Sequence, residues 1–583
     1  MTKMKVKLLW PILTGILLLI TPGRTALPEE ETKESTFEYT GYGANRCVSG
    51  SLHLVSIDGD NLILDAGSFY GNDGDGAPPF PSDLLPDISA IILSHVHLDH
   101  SGRVLELVKK GYKGKIYCSL PTRELMPTMM TMAAGSADLG RESFYFSKNS
   151  YKKNRREKKP TRAHLRKDCP WREQITAKGT RSCSRKDLED LGFFLCRDCA
   201  QMDVDEVLER IQVVRPGKRY RVSPKLTAEF FNTPHLPGSM MVRILNPKTG
   251  RSLLFTGDFG SGLSPFLKEQ DRVDAATWAI IEGTYGTGSH TKQSREDFQK
   301  YVGKCLQAEK RVIIPSFVLD RSQQVLREIS RGIKAGYIPK NQKVKVFSPS
   351  AAEINDIYKQ TFTKAEFSSL FSDSYHKEGP FDDICVIPQR WDDRVRYGEI
   401  ANCASGMADA GFAKEFVKRW VGDPKTVFIF VGYQSPSSVG GRLTRLDSIE
   451  KFKLKDGSTI TGKVVKENAG MILVDTERGR RGVARASILE RRPGGRSVTI
   501  DGKEYQVRAE IKKVGCFSGH GRPDQISSFL SGIKGLKDVL IVHSDPNVVP
   551  LLAAYYRKLF PEINFVIPRM GEHYLFNNNI ILE

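Results

Sequence analysis

The chain lacks any long low-complexity tract, and its 583 residues are 40% hydrophobic and 27% charged, which is ordinary for a folded protein. That length exceeds what one simple core supports, so two or three domains are expected. Acidic residues are in deficit: 68 stand against 87 basic residues, and the formal net charge is +19. This excess favours a polyanionic partner such as nucleic acid or an anionic membrane surface, although charge alone also fits a basic surface with no specific partner.

The amino terminus has no apolar run long enough for an ordinary membrane span. Three lysines precede a mostly apolar stretch of thirteen residues from Leu8 to Ile20, as in a secretory signal. No lipobox-like cysteine follows, and cutting after Ala26 would leave Arg24 where a small residue is preferred. Residues 1–26 therefore predict a signal peptide, with an uncleaved membrane anchor as the competing interpretation. The expected location is periplasmic, secreted or membrane-anchored, and a cytoplasmic location is the alternative.

Cysteines are few, and most of the ten are isolated within apolar segments, which predicts buried thiols. Four are clustered instead: Cys169, Cys183, Cys196 and Cys199. They would form two disulfides in an exported protein or hold a structural zinc in a reduced compartment, and the signal segment slightly favours disulfides. They lie within and directly after a basic insertion at 147–194, in which fifteen basic residues stand against three acids between Lys148 and Lys186. Such an arm either stays solvated or lies along phosphates.

Histidine is also scarce, yet three of the eleven histidines fall within "SHVHLDHSG". This segment follows the apolar run "ISAIIL", so the cluster stands at the carboxyl end of a predicted strand. Three more predicted strands end in a residue that can bind a metal. The candidates at the four strand ends are Asp65; His95, His97, Asp99 and His100; His235; and Asp258. Imidazole and carboxylate together suit zinc or a related divalent ion.

The HxHxDH segment with the later His235 and Asp258 resembles the metallo-β-lactamase fold. Further segments resemble the β-CASP nucleases of this fold: "IIEGTYG", "RVIIPSFVLDRSQQVL", "ANCASGMADAGFA", "CFSGHGRPDQI" and "VLIVHSDPNVV". The similarity is to the short type, related to the pre-mRNA 3′-end endonuclease and its prokaryotic relatives, without the extra carboxyl-terminal domain of ribonuclease J. Six of the eleven histidines fall in the motifs: His95, His97, His100, His235, His520 and His543.

The resemblance implies an α/β protein built on a metallo-β-lactamase αββα sandwich that is split in sequence. The first part would span 36–283, an inserted α/β β-CASP domain 284–440, and the carboxyl-terminal part of the sandwich 498–583. The β-CASP domain would cap the cleft that holds the metal site.

The resemblance also implies the ligand set for two Zn²⁺ ions per chain, with Mn²⁺ as the alternative. His95, His97 and His235 would hold one ion. Asp99, His100 and His543 would hold the second, and Asp258 would bridge both. Asp65 would orient a ligand imidazole through its other ring nitrogen.

Two such ions would lower the pKa of a bridging water, whose hydroxide attacks a phosphodiester, and would clamp the phosphate oxygens. Asp99, His520 and Glu282 are the candidate catalytic residues: His520 would give the leaving oxygen its proton, with Glu282 holding the imidazole protonated and oriented. Ser518 and Arg522 are candidates to contact substrate. Here "GHGRPD" stands where the family usually has "GHAD", which puts the role of an acid in this loop in doubt.

A second insertion at 446–492 shows short alternating segments joined by "DGS", "ENAG" and "ERGR" turns, which predict five short strands. They resemble a small SH3-like or Sm-like β-barrel. Such a barrel would contact nucleic acid or peptide, or would be a stabilising or oligomerising addition, since fold alone does not define function.

The leading hypothesis is a zinc-dependent phosphodiesterase that cleaves RNA or single-stranded nucleic acid. One rival is a small-molecule metallo-hydrolase that opens a lactam, thioester or lactone; the cap domain, His520 and Glu282 argue against it. The other rival is a noncatalytic nucleic-acid-binding subunit, which the complete ligand set disfavours. The choice of RNA or DNA, of endo- or exonuclease and of metal stays open, as does homodimerisation, which is common in the family.

Overall fold

The computed structural model describes residues 35–70, 73–135, 146–148, 193–195, 204–287, 293–388, 395–435, 437–446, 449–476, 479–493, 496–576 and 581–582. The predicted signal or anchor at 1–26, most of the basic insertion and its four cysteines lie outside these residues. The other six cysteines are free thiols and five of them are buried, as predicted. Among the described helices, none has the length and apolar character needed to cross a bilayer.

The strands are, in chain order, β1 (Phe37–Gly41), β2 (His53–Ile57), β3 (Asp60–Leu64), β4 (Ile88–Ile92), β5 (Lys115–Ser119), β6 (Phe146–Lys148), β7 (Phe193–Leu195), β8 (Ile211–Val214), β9 (Arg219–Arg221), β10 (Thr227–Asn232), β11 (Met240–Leu245), β12 (Ser252–Phe255), β13 (Trp278–Glu282), β14 (Arg311–Pro315), β15 (Val344–Phe347), β16 (Cys385–Val386), β17 (Ile400–Cys403), β18 (Thr426–Phe430), β19 (Ile449–Leu454), β20 (Thr459–Glu467), β21 (Met471–Thr476), β22 (Gly479–Ala484), β23 (Ile488–Pro493), β24 (Ser497–Ile500), β25 (Lys503–Gln506), β26 (Glu510–Lys513), β27 (Asp538–Val542), β28 (Asn564–Val566), β29 (His573–Phe576) and β30 (Ile581–Leu582). The α-helices are α1 (Leu98–Ser101), α2 (Val104–Lys109), α3 (Leu120–Gly135), α4 (Arg295–Gln307), α5 (Arg321–Lys334), α6 (Pro349–Asp356), α7 (Asp373–Glu378), α8 (Gly411–Trp420), α9 (Val439–Leu443), α10 (Pro523–Ser531) and α11 (Val549–Leu559).

Both ends of the described chain contribute to a sandwich of two sheets. One sheet has the order β30-β29-β1-β2-β3-β4-β5-β8 and the other β28-β27-β13-β12-β11-β10-β9. They share one buried core, in which Phe37 of β1 lies 5.3 Å from Trp278 of β13, centroid to centroid. Helices α10 and α11 cover the outer face of the second sheet, and α3 packs on the first. The predicted αββα sandwich, split in sequence, is confirmed.

A third sheet lies between the two parts of the sandwich in sequence. Its order is β16-β15-β17-β14-β18-β26, and every neighbouring pair is parallel. Helix α8 and strands β14, β17 and β18 share a buried apolar core. The predicted segment 498–583 supplies β26 here before it returns to the sandwich.

The second insertion forms a five-stranded antiparallel sheet of order β22-β21-β20-β19-β23. Five short strands were predicted here, and five are observed. Four side chains form its core: Phe452, Ile472, Val474 and Val483. No pairing between β22 and β23 is present among the described residues, so the SH3-like or Sm-like barrel stays a prediction. At the first insertion, β6 and β7 pair antiparallel.

Candidate metal centre and active-site cavity

The strand ends that carry the predicted site residues converge at one edge of the sandwich. Strands β3 and β4 are parallel, as are β12, β13 and β27, so their carboxyl ends meet at the same edge. The residues are Asp65 after β3; His95, His97, Asp99 and His100 after β4; His235 after β10; Asp258 after β12; Glu282 at the end of β13; and His543 after β27. Asp65 and His543 have φ of 58° and 52°, a left-handed conformation that is uncommon for residues other than glycine and is often found at active sites.

Three imidazoles and one carboxylate form the first ligand group. His97 Nδ1 lies 3.2 Å from both His95 Nε2 and His235 Nε2. Asp258 Oδ2 lies 3.6 Å from His95 Nε2 and 3.4 Å from His235 Nε2. All four ligand atoms lie within 4.8 Å of one another, so a single ion can reach them all.

The second ligand group shares Asp258 with the first. His100 Nε2 lies 3.2 Å from His543 Nε2, and Asp99 Oδ2 lies 3.6 Å from that same His543 nitrogen. Asp258 Oδ1 is 3.2 Å from His100 Nε2. One oxygen of Asp258 therefore faces each group, which is the arrangement a bridging carboxylate needs.

The imidazoles of the first group are electrostatically suited to bind a cation. Burial lowers the pKa of His95 and His235 well below the usual value and lowers that of His97 to about 4. These rings are therefore neutral at pH 7, and each has a nitrogen lone pair to donate.

The second group lies in a more negative environment. Burial opposes the charged form of His100, but the carboxylates of Asp258 and Asp65 outweigh it and raise the pKa of this histidine. Burial alone would raise the pKa of Asp258, whereas the surrounding imidazoles hold it well below its usual range. Within the described structure, Asp258 Oδ1 is buried and accepts no hydrogen bond. A divalent cation would satisfy this oxygen, and the nitrogen and carboxylate donors fit zinc.

The ligand imidazoles are held by partners behind them. Asp65 accepts hydrogen bonds from Ser94 N at 2.7 Å and from His100 Nδ1 at 2.7 Å, which leaves His100 Nε2 facing the site. His235 Nδ1 lies 3.2 Å from the carbonyl oxygen of Gly519, which leaves its Nε2 for a metal. Such partners fix the tautomer and orientation of a ligand ring. Asp65 thus lies where the sequence predicted it.

Glu282 and His520 lie together beside the shared carboxylate. His520 Nδ1 is 2.9 Å from Glu282 Oε2 and 3.7 Å from Asp258 Oδ2. Glu282 is 1% exposed and also accepts hydrogen bonds from Phe259 N at 2.6 Å and from the Thr284 hydroxyl. A carboxylate with these donors accepts a proton-bearing Nδ1, so the imidazole Nε2 is the nitrogen left for the cavity.

A cavity of about 230 Å³ opens over this centre between the sandwich and the third sheet. Seven of the predicted site residues line it: His97, Asp99, His235, Asp258, Ser518, His520 and His543. The Ser518 hydroxyl donates to Tyr285 Oη at 3.0 Å. Arg522 does not line the cavity; its guanidinium binds both carboxylate oxygens of Asp524 at 2.9 and 2.8 Å.

Several residues of the site were not singled out from the sequence. Thr284 lies 2.9 Å from His543 Nδ1 and donates to Glu282, so one hydroxyl positions both side chains. Tyr285 lies with its ring centroid 5.5 Å from that of His520. They lie two and three residues after Glu282, in "IIEGTYG", and their position after a strand that ends in a site residue is the signal that identifies them. Arg321, which begins α5, and Tyr433, which follows β18, also line the cavity. Arg321 lies in the segment "RVIIPSFVLDRSQQVL" but was not singled out there, and Tyr433 lies in none of the quoted segments.

Three family models match separate parts of the chain. The metallo-beta-lactamase superfamily model matches residues 45–172, and the Beta-Casp domain model matches 322–443. The model of the Zn-dependent metallo-hydrolase RNA specificity domain matches 504–568. The first match includes the HxHxDH segment, and the last includes His520 and His543.

Relatives of this chain match over most of its length at low identity. A ribonuclease of Thermus thermophilus is 24% identical over 513 residues, which is 86% of this chain and 92% of that protein. The transcription termination factor FttA of Methanosarcina mazei is 24% identical over 79% of this chain and 65% of its own length. Integrator complex subunit 11 of Danio rerio is 26% identical over 73% of this chain and 63% of its own length. This chain thus spans somewhat less than two thirds of the last two.

The sandwich and its paired ligand groups define the metallo-β-lactamase superfamily as the class. The inserted parallel sheet and the motifs at Glu282, His520 and His543 narrow that class. In its domain content the chain matches the β-CASP nucleases.

Proposed function

We propose that this chain is a metal-dependent phosphodiesterase that hydrolyses RNA. The observation that carries the proposal is the Glu282–His520 pair beside Asp258, the residue that the two ligand groups share. Opening a lactam or thioester needs no such buried acid–imidazole pair, and a noncatalytic RNA-binding subunit needs neither the pair nor the ligands. The names of the relatives and the RNA specificity model support RNA as the substrate, as does the net charge of +19.

The residues at the cavity have two roles: some would hold the metal ions, and others would supply the proton. Two bound divalent ions would supply an activated water and stabilise the negative charge on the phosphate. His520 faces the cavity with Nδ1 held by Glu282, so its Nε2 can deliver a proton to the leaving oxygen. The Glu282 carboxylate stabilises the protonated ring before that transfer, and Thr284 keeps Glu282 in place.

Zn²⁺ at two ions per chain is our proposal for the metal. The three neutral imidazoles of the first group support it, because zinc accepts nitrogen ligands readily. The carboxylates Asp99 and Asp258 of the second group also suit Mn²⁺, which is therefore the second ion to test.

Location and assembly are proposed from the sequence alone. The segment at 1–26 supports export or a membrane tether, which would place RNA hydrolysis outside the cytoplasm or at a membrane. Homodimerisation is proposed only by resemblance to the family.

The experiment is cleavage of end-labelled single-stranded RNA and matched DNA by the full chain loaded with Zn²⁺ or Mn²⁺. Asp99→Ala should abolish cleavage and His520→Ala should slow it about 10²–10⁴-fold, while the exposed carboxylate variant Asp83→Asn should retain it. The product ladder separates internal from terminal attack. A metal-loaded wild-type chain that cleaves neither polymer would refute the proposal and would favour small esters or lactams.

A further inference from the structure

One buried arginine reaches the cavity from the domain of the third sheet. Arg321 is the first residue of α5. It is 6% exposed, yet it lines the cavity together with His97, His235 and Asp258. Removing a charged side chain from water is costly unless partners compensate the charge, and the proposed chemistry so far gives this residue no role.

Gly519 gives the guanidinium room to approach the metal centre. A Cβ atom on Gly519 would lie 1.7 Å from Arg321 Nη2 and 3.2 Å from His235 Cε1, so a side chain here would displace the guanidinium. The Gly519 carbonyl oxygen lies 3.2 Å from His235 Nδ1, and His520 is the next residue along the chain. Arg321 Nη2 is therefore beside a ligand of the first group and close to the proposed proton donor.

Asp320 holds the guanidinium from behind. Its carboxylate is fully buried outside the cavity lining and accepts a hydrogen bond from Arg321 Nη1. Gln324 Nε2 donates to the same carboxylate oxygen at 2.5 Å, and Tyr358 Oη donates to the other oxygen at 3.3 Å. Because Nη1 is bound to a fixed carboxylate and Nη2 lies against Gly519, the guanidinium has a defined orientation.

The guanidinium of Arg321 has more donors than acceptors. An arginine carries five N–H donors. Within the described structure the guanidinium donates one hydrogen bond, to Asp320, which is also its one ion-pair partner there. By contrast, Arg311, another buried arginine of this domain, donates three hydrogen bonds. A ligand in the cavity would supply the acceptors that Arg321 lacks.

The charge of Arg321 indicates that this ligand is an anion. Burial lowers the pKa of His97 and of His235, and the positive charge of Arg321 lowers both further, so this charge acts on the first ligand group. A guanidinium repels a divalent cation held by those rings unless an anion lies between the two. A phosphodiester meets this need, because its two non-bridging oxygens match the planar fork of a guanidinium.

We propose that Arg321 is a further catalytic residue, which donates hydrogen bonds to the non-bridging oxygens of the scissile phosphate and stabilises their charge in the transition state. This rests on the proposed function and adds a residue to the same site. Water adds to phosphorus, the bond to the leaving ribose oxygen breaks, and His520 gives that oxygen its proton, while Arg321 exchanges no proton. Since α5 supplies Arg321 and the sandwich supplies His520, the site is complete only where the third sheet packs on the sandwich.

The first test is the rate of RNA cleavage by Arg321→Ala and Arg321→Lys. The matched control is Arg331→Ala, at an exposed arginine of the same helix. Arg321→Ala should lower kcat about 10²–10³-fold, as the loss of a transition-state donor does, with metal content unchanged. Arg321→Lys keeps the charge without the fork and should lose less. Free guanidinium ion should restore part of the rate to Arg321→Ala but none to His520→Ala. An unchanged kcat in Arg321→Ala, or a loss that neither lysine nor guanidinium relieves, would overturn the proposal.

A second variant separates this role from a structural one. Arg321→Ala leaves the buried Asp320 carboxylate unpaired, which destabilises a protein in its own right. The double variant Asp320→Asn/Arg321→Ala removes that charge, and asparagine tolerates the φ of 64° at this position. The double variant should unfold at the temperature of the wild type and show the same loss of kcat. A double variant with the kcat of the wild type would overturn the proposal.

Binding of inorganic phosphate to the metal-loaded chain, measured by calorimetry, distinguishes this proposal from the proposed function. The Kd should rise about tenfold or more in the double variant, because hydrogen bonds to charged groups are strong, and it should not change in Arg331→Ala. A wild-type chain that binds phosphate through Arg321 but cleaves no RNA would refute the proposed function and leave the phosphate contact standing. Equal phosphate affinity of the double variant and the wild type would overturn the contact itself.

Discussion

The floor of the cavity and the inserted sheet of residues 449–493 use charged side chains in opposite ways. On the floor, His95, His100 and Asp258 are at most 2% exposed, and the ligand rings are fixed from behind by hydrogen bonds. On the inserted sheet, Arg491 bonds to Glu450 and Glu467 at the surface, where all three side chains are 27 to 36% exposed. Ion pairs of that kind contribute little to stability.

Because of this difference, substitutions of charged residues on the floor and on the inserted sheet should have unequal effects. Buried polar groups act strongly on a reaction because water does not screen them, but each one left unpaired is costly. Exposed charges on a small sheet can be exchanged at little cost in stability. We therefore expect the residues on the cavity floor to determine the chemistry, and the inserted sheet to determine which RNA strands bind.

The largest effect is expected at Asp258. Asp258→Asn removes the carboxylate that faces both ligand groups, and an amide nitrogen in its place would repel a cation. Hydrolysis should fall to background, and bound metal, measured by plasma emission spectrometry, should fall by at least one ion per chain. The surface variant Asp83→Asn should keep both. Full metal content in Asp258→Asn would contradict the bridging role.

The next largest effect is expected at the Glu282–His520 pair. Removing a general acid typically slows a reaction by about 10²–10⁴-fold, so His520→Ala should lower kcat in that range while metal content stays unchanged. Glu282→Gln should lower kcat as well, because an amide does not stabilise the charged imidazole. The double variant should be no slower than His520→Ala, since both residues act on one step. Additive losses would show that the two residues act separately. Glu366→Gln, at the surface, is the control.

Much of this floor was predictable from the sequence, for a physical reason. Metal ligands such as His95 or Asp258 follow short apolar strands, and the carboxyl ends of parallel strands meet at one edge. The side chains that come from the cap were harder to predict. Arg321 begins a helix and Tyr433 follows a strand of another sheet, so only the packing of the third sheet on the sandwich brings them to the cavity.

The inserted sheet also has a feature that could not be predicted from the sequence. Its strands were predictable from alternation and turns, whereas closure into a barrel depends on the pairing of β22 with β23, which no local pattern encodes. The pairing of Arg522 with Asp524 likewise depends on how a side chain folds back along its own loop. Sequence spacing alone left Arg522 a candidate for phosphate contact.

A smaller effect is expected at Thr284. Thr284→Val keeps the shape but removes the hydroxyl that contacts His543 Nδ1 and Glu282. Losing such a supporting contact typically weakens metal affinity about 10–100-fold. Titration with Zn²⁺, followed by calorimetry, should show that loss at the second group, with saturating metal restoring most of the rate. Thr363→Val, at an exposed threonine, should bind metal as the wild type does. Unchanged affinity in Thr284→Val would limit its role to Glu282.

The smallest effect on hydrolysis is expected from a change that disrupts the inserted sheet. Phe452 is fully buried among the four core side chains of this sheet, and a core this small has few neighbours that can close the gap. Phe452→Ala should destabilise the sheet by about 3–5 kcal/mol, seen as faster hydrogen exchange across 449–493, while Leu489→Ala, at a side chain 59% exposed, should not. Short RNA should still be cleaved within about twofold of the wild-type rate, because the ligands and the Glu282–His520 pair are positioned by the sandwich. If the short substrate were lost as well, the floor would depend on the insertion, and the proposed division between chemistry and strand selection would not hold.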